Sequence, residues 1–501
     1  MHSPVKKESM RDAGLVLLLA VLAFLFSMQC SVHLWKNGNV SPDSAVYKTV
    51  AFYIDQGYMP YKDTFDHKGP LLYIYNWLGM QISYWRGIWV IEFLSLLCTF
   101  GILYKTARLC CGRLLSCFTL LAEAVLLSEY FEGGNMVEEY ALPFIAAALY
   151  IFLDYFLNQV VCRGRLLVCG LSFGAVCLLR INMISIWIVF CIAVFADAVY
   201  HKKYREIRYF IAYFVVGAGI ICIPILAWLV VNGAFEDFIA DYFLFNFSYS
   251  SNSVRANGLN KWKTFLFYLN EPFLLTAVSC TAYLCVVRKK LLDYAYGMGI
   301  LISLILISVS GKSYGHYGIT LVPLLGYPFG VIGRMIENEL KRGSSWIVAG
   351  LLILMSVSVF PAWLEITGCA VESYIQRDMQ FEETDIRNKI INVVAENTTE
   401  DDFITVYGNM DVIYARSRRL SASKYSYQDP IGGINSAVYD EYFAELEETS
   451  PKLIIITPYE EYELERIRAY IDRHGYQLIA TFDETVKEKQ KVYWVYGRED
   501  G

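Results

Sequence analysis

Ser41-Pro42-Asp43-Ser44 opens a stretch that runs through Gly57-Tyr58-Met59-Pro60-Tyr61-Lys62-Asp63 to Phe65-Asp66-His67-Lys68-Gly69-Pro70. It follows the first long apolar run, 13–33, and sets a carboxylate, a histidine, a lysine and several aromatics just outside it. Reactive polar groups at a membrane face suit a substrate that is itself held in lipid. The rest of the chain agrees. Of its 501 residues, 56 % are hydrophobic and 18 % charged, and mean hydropathy is positive. Apolar runs recur at roughly the 20-residue length that crosses a bilayer. The sequence is that of a polytopic α-helical membrane protein.

The runs predict about eleven transmembrane helices, near 13–33, 85–104, 113–128, 139–157, 165–180, 182–200, 209–231, 264–287, 292–310, 316–335 and 345–366. The stretch 69–83 is a further half-helix, and 113–128 is short enough to be tilted or re-entrant. Basic residues mark alternate junctions: Lys6, Lys7 and Arg11, then Lys105 and Arg108, Arg163 and Arg165, Lys202 with Lys203 and Arg205, Arg288 to Lys290, and Lys341 with Arg342. By the positive-inside rule the N-terminus is cytoplasmic. The 34–84 loop, the Glu129–Glu139 segment, the 232–262 loop, the 311–316 turn and the tail then face outward. The first run is too long, and too poor in cleavage-site residues, for a removed signal peptide.

The expected domains are 1–366, a transmembrane domain, and 367–501, an extracytoplasmic α/β domain. Residues 370–501 carry 15 Lys and Arg against 26 Asp and Glu, while the remainder is net basic. An acidic tail argues against nucleic acid as a partner. Neither the 34–84 loop nor the chain beyond Cys369 holds a cysteine, so no disulfide framework is expected there. In the tail, apolar strands at 403–407 and 452–456 alternate with helix-like 376–396, 435–448 and 460–474. Strands at 476–481 and 491–496 follow, suggesting a mostly parallel sheet. The tail has no Gly-x-x-x-x-Gly-Lys or Gly-x-Gly-x-x-Gly, so a nucleotide site has no support.

Asp43 starts a helix over 42–56 whose apolar spacing fits an amphipathic face resting on the membrane domain or the interface. Its carboxylate is either functional or a first-turn complement to the helix dipole. Lys68 precedes an apolar helix and can bind a phosphate or snorkel at the interface. Glu138 and Glu139 begin a span; adjacent carboxylates diverge on a helix, so one points inward and the other is solvated or caps. Arg180 sits in a short outer turn, facing a cavity or marking the interface. His316 beside Tyr317 can bind phosphate or sugar, or be an interfacial hydrogen-bonded pair.

Together these residues resemble the GT-C superfamily of membrane glycosyltransferases, in particular the bacterial protein-O-mannosyltransferase and aminoarabinose-transferase branch (glycosyltransferase family 39/83-like). The shared pattern is an early acidic residue, an amphipathic helix, Gly-x-x-Pro-Tyr-x-Asp, and a Lys-Pro-Pro-Leu or Lys-Gly-Pro-Leu helix entry. Here it reads Asp43, Gly57 to Asp63, then His67-Lys68-Gly69-Pro70-Leu71. The resemblance implies a helical fold with a lipid-open cavity and a polyprenyl-phosphate-linked sugar donor on the outer face. It implies Asp43 as general base toward a hydroxyl acceptor in a cell-envelope glycan, lipid or protein, with inversion. Lys68 would bind the donor phosphate, with Arg180 and His316 as further candidates, and His67, Tyr61, Glu138, Glu139 and Tyr317 would contact substrate. Many relatives carry a second acidic residue beside the first, where this chain has Ser44. No cofactor is called for, and a divalent metal stays open. The alternatives are a transporter or flippase for a lipid-linked saccharide, which would favour inverted repeats not found here, and a non-catalytic sensor.

Overall fold

The computed structural model describes residues 4–35, 41–248, 258–342, 345–375, 385–428, 431–433, 435–458, 464–486 and 489–498. They fall into two compact units. One comprises Met1–Trp35, Ile88–Leu226 and Ser253–Ile375; the other comprises Lys36–Gly87, Ala227–Asn252 and Gln376–Gly501. The second unit joins the tail to the first loop, so the compact units cut across the sequence boundary expected at 366/367.

The first unit is built of helices. Gly87–Arg108, Val137–Asn158, Tyr204–Val231, Leu291–Ser308 and Gly315–Lys341 have the length and apolarity to cross a membrane. The run expected as one span over 264–287 is broken: Asn260–Leu269 and Pro272–Val287 meet at 86°. Pro272 can open a helix, but without an N–H it cannot continue the one before it. With that pair taken as one span, the described residues supply up to six, against eleven expected. Helices also cover the shorter runs; Arg163–Cys177 and Ser185–Tyr200 have 15 and 16 residues.

The second unit holds a five-stranded sheet in the order β2-β1-β3-β5-β4. The strands are β1 Phe403–Tyr407, β2 Leu420–Ser421, β3 Leu453–Ile456, β4 Gln477–Val486 and β5 Lys489–Gly497. β1 pairs in parallel with β2 and β3, whereas β5 runs antiparallel to β3 and β4. The sheet is therefore mixed, not mostly parallel. The two kinds of strand differ in sequence: β3 is buried throughout, while β5 buries Tyr493 and Val495 on one face with less buried residues between them. Alternation of that kind belongs to a strand covered on one side. Helix Ile386–Asn397 lays Ile390 and Val394 against Ile404, Val406 and Val495 to make the core. The expected helical stretches 376–384 and 460–463 lie outside the described residues.

Helix Pro42–Asp55 forms as its sequence directs. The Ser41 hydroxyl caps it by accepting the Ser44 N–H at 3.3 Å, with Pro42 in the first turn. Gly57, at φ +87°, follows its end. Yet residues 44–53 are all buried, where an amphipathic helix with one covered face was expected. The tail is the reason. Thr49 Oγ1 donates to the Asp411 carbonyl at 3.2 Å, and Ser421 N–H donates to the Tyr53 hydroxyl at 2.6 Å. Ala51, Phe52, Tyr53 and Met80 form an apolar cluster against Leu420.

Candidate active site

In the second unit the motif following Gly57 closes on itself. Asp63 Oδ2 accepts the Met59 N–H at 2.6 Å, while the Tyr61 N–H donates to the Thr64 carbonyl at 2.8 Å. Tyr61 is held at φ +71°, a conformation costing a non-glycine residue about 1 kcal/mol or more. Its ring is fully buried, packed between Tyr73 and Phe238, and its hydroxyl donates to the Lys68 carbonyl at 2.8 Å. Tyr61 thus fixes the backbone of Lys68.

Asp66 is the centre of this cluster. Its Oδ1 accepts the His67 N–H at 2.7 Å and the Tyr427 hydroxyl at 3.1 Å, and its Oδ2 accepts the Tyr73 hydroxyl at 2.9 Å. Burial holds its carboxyl above the usual range, against the opposing pull of Lys68 and of these donors. His67 links the two charges: Nε2 lies 2.8 Å from Lys68 Nζ and Nδ1 lies 3.3 Å from Asp66 Oδ1. The ammonium can only donate, so Nε2 accepts and the ring proton sits on Nδ1, facing the carboxylate. Lys68 is half-buried, and one of its three N–H groups is directed to His67.

Asp43 lies in the first turn of its helix, and its residue is exposed. Ser41 supplies the cap, so the carboxylate is not used for that. Its charge reaches Tyr427: that phenol is raised by burial, by Asp66 and Asp411, and further by Asp43. Asp411 is buried, and Ser426 Oγ donates to its Oδ1 at 2.5 Å. Adjacent tail residues, Ser426 and Tyr427, thus place one hydroxyl on each of two buried carboxylates. Burial lifts Asp411 to about 7; the Ser426 bond opposes the shift and Asp66 adds to it.

The first unit carries a separate cluster. Glu138 and Glu139 are both buried, so the solvated or capping partner expected of an adjacent pair is not seen. About 100° apart on their helix, they meet different neighbours. Glu138 forms an ion pair with Arg180, whose guanidinium lies over the Tyr317 ring, 4.1 Å from its centroid. Glu139 turns toward Glu92, which also receives the Asn135 N–H at 3.3 Å. His316 Nδ1 sits 2.6 Å from Glu132 Oε2, and the Gly315 N–H donates to the other oxygen at 2.8 Å. Burial alone would raise Glu132; the bonds from His316 and Gly315 outweigh it and leave the carboxyl lowered. Among the described residues, no three or more His, Cys, Asp or Glu side chains are grouped to hold a metal ion.

A family model described as "Putative competence-induced protein Ccs4 N-terminal domain" matches residues 3–345. The chain belongs to this family. The Ccs4 N-terminal match takes in every candidate residue of the helices and first loop, and ends before the tail. No curated protein matches the sequence. Among solved structures, ArnT from Cupriavidus metallidurans bound to undecaprenyl phosphate superposes with a TM-score of 0.59 at 14 % identity, covering 96 % of this chain and 97 % of that one. The Archaeoglobus fulgidus oligosaccharyltransferase tethered to an acceptor peptide gives 0.52 at 11 %, covering 97 % and 74 %. The same archaeal protein in complex with an inhibitory peptide and a dolichol-phosphate gives 0.50 at 12 %, covering 91 % and 70 %. This Ccs4-family chain therefore has the GT-C fold, tail included.

Asp66, Asp411, Tyr427 and Glu132 were not singled out in the sequence. Asp66 lies in the quoted stretch, but no spacing sets it apart from its neighbours. Asp411 follows Gly408-Asn409 at the end of β1, and strand ends in α/β sheets carry ligand contacts. That was the one available signal.

Proposed function

We propose that this chain is an integral membrane glycosyltransferase that moves a sugar from a polyprenyl-phosphate donor to a hydroxyl acceptor on the outer face of the membrane. The observation that carries the reading is the near full-length fold likeness to ArnT, whose structure holds undecaprenyl phosphate. The arrangement around Asp66 supports it. Asp43, exposed at a helix start, is the general base: it takes the acceptor's proton as that oxygen bonds to the anomeric carbon. The bond from that carbon to the phosphate oxygen breaks, and polyprenyl phosphate leaves as an anion, with inversion at the sugar. Lys68, oriented through His67 and Tyr61, meets the growing negative charge of the phosphate. Arg180 and His316 are secondary candidates for that role, since Glu138 and Glu132 already engage them. Tyr317 and Glu138, which engage Arg180, are substrate contacts in this reading, and Glu139 is one separately. In this reading the first loop and the tail lie outside the cytoplasm and the N-terminus inside.

The test is to supply membranes containing the protein with a polyprenyl-phosphate sugar labelled in the sugar. Transfer releases one polyprenyl phosphate for each labelled acceptor formed. A flippase would move the intact lipid across the bilayer and leave the sugar–phosphate bond whole.

A further inference from the structure

A segment far along the chain reaches the first-loop motif within the second unit. Helix Phe235–Phe238 continues without a break into a π-helix, Ile239–Phe245. π turns are rare, and they gather at functional sites. This one lies along the motif. Phe238 packs on Tyr61, with ring centroids 5.3 Å apart, and Phe245 packs on Phe65 at 5.3 Å and on His67 at 5.5 Å. Asp241, in the same π-helix, lies 3.4 Å from Lys424 of the tail.

Asn246 follows the π-helix. In an α-helix its N–H would donate to the Tyr242 carbonyl; here it donates to the Phe243 carbonyl. The side chain takes its place: Nδ2 donates to the Tyr242 carbonyl at 2.8 Å. The same nitrogen donates to the His67 carbonyl at 2.7 Å. Both partners are carbonyl oxygens, so the amide nitrogen faces them and both of its N–H groups are used. An aspartate would bring no donor. The His67 carbonyl and the Lys68 N–H belong to one planar peptide, and that N–H donates to the Tyr73 hydroxyl at 3.2 Å. This peptide is therefore pinned at its oxygen by Asn246 and at its nitrogen by Tyr73.

We propose that Asn246 is a positioning residue for the Lys68 ammonium. By holding the His67 carbonyl it fixes the peptide plane, and with it the direction in which the lysine leaves the backbone. The inference rests on the transferase reading, in which Lys68 meets the donor phosphate. His67 Nε2 holds the head of that side chain at 2.8 Å, and the pinned peptide holds its root. A flexible four-carbon stem fixed at both ends has little rotamer freedom left to lose. A cation already in place binds phosphate at a lower ordering cost than a loose one.

The test titrates full-length protein in nanodiscs with undecaprenyl phosphate and, separately, with undecaprenol, and counts bound ligand by native mass spectrometry. Wild type should prefer the phosphate. Asn246→Leu, close in size and without donors or charge, should weaken phosphate binding by roughly tenfold, the size of one charged contact. It should leave undecaprenol binding unchanged, and Asn246→Ala should behave alike. Added to Lys68→Met, Asn246→Leu should change phosphate binding by less than about twofold, because both act through one ammonium. If Lys68→Met loses the preference and both Asn246 variants keep it, this inference falls and the transferase reading stands. If wild type shows no preference, or Lys68→Met keeps it, the phosphate role of Lys68 fails and takes this inference with it. Equal weakening of both ligands, or an Asn246→Leu effect undiminished on Lys68→Met, would reduce Asn246 to a packing residue.

Discussion

The Tyr427 hydroxyl donates to Asp66 Oδ1 at 3.1 Å, joining residues 361 positions apart. The tail is thereby wired to the carboxylate that orients His67 and Lys68. Tyr427→Phe removes one donor from a buried acidic group, a loss of about 1.5–3 kcal/mol. Hydrogen exchange in segments 60–73 and 403–428 should accelerate together by roughly tenfold or more. Acceleration confined to the tail would mean that the bond does not couple the two segments.

The same unit should be least protected near neutral pH. Burial raises Asp411 and Asp241 to about 7, with Ser426 and Lys424 opposing respectively; unfolded aspartate titrates near 3.9. Between those values the folded state binds more protons than the unfolded one. Stability from these groups is complete below about pH 4 and is lost as pH rises through about 7. Lys48 acts in the opposite sense: burial, then Arg418, lower it to about 7. Its contribution is complete above about pH 10.4 and is lost as pH falls through about 7. Exchange protection in 403–428, corrected for intrinsic rates, should pass through a minimum near pH 7. Asp411→Asn should make the acid side shallower, leaving the Asp241 share, and a flattened alkaline side would contradict the assignment.

Lys68→Met keeps most of the unbranched stem and removes the charge. Donor KM should rise and kcat fall, because the phosphate is anionic in the bound donor and gains charge as the bond breaks. Acceptor KM should change little. If donor response stays normal while only protein yield drops, Lys68 is a packing residue and Arg180 becomes the residue to test.

How much of this was legible follows from where the information resides. The apolar runs, the Ser41 cap with Pro42, and the Gly57 and Pro70 boundaries are local, and the sequence displays them. Asp63 bonding back to Met59 is also local, and it explains the spacing of the motif. The 86° break at Pro272 was written in Asn270-Glu271-Pro272 but hidden by the hydropathy on either side. Tyr427 on Asp66 and Arg180 on Glu138 are pairings across long separations, which no period or spacing encodes. β5 alternated visibly, yet its antiparallel partner was decided by the hairpin with β4.

Sidedness has its own check. Protease sites inserted within 431–433 should be cut by protease added outside intact cells or spheroplasts. Sites in the 201–203 turn should be cut only after lysis. The reverse pattern would put Asp43 on the face where nucleotide sugars are available and remove the reason for a lipid-linked donor.

The central claim is that the Asp43 carboxylate takes the acceptor's proton, and Asp43→Asn tests it most directly. The amide keeps the size of the side chain, and Ser41 still caps the helix. Purified variant and wild type, given the same polyprenyl-phosphate sugar and acceptor, should bind donor alike. Their rates of polyprenyl phosphate release should differ by about 10²-fold or more. Near-equal release, with both proteins folded, would contradict the account.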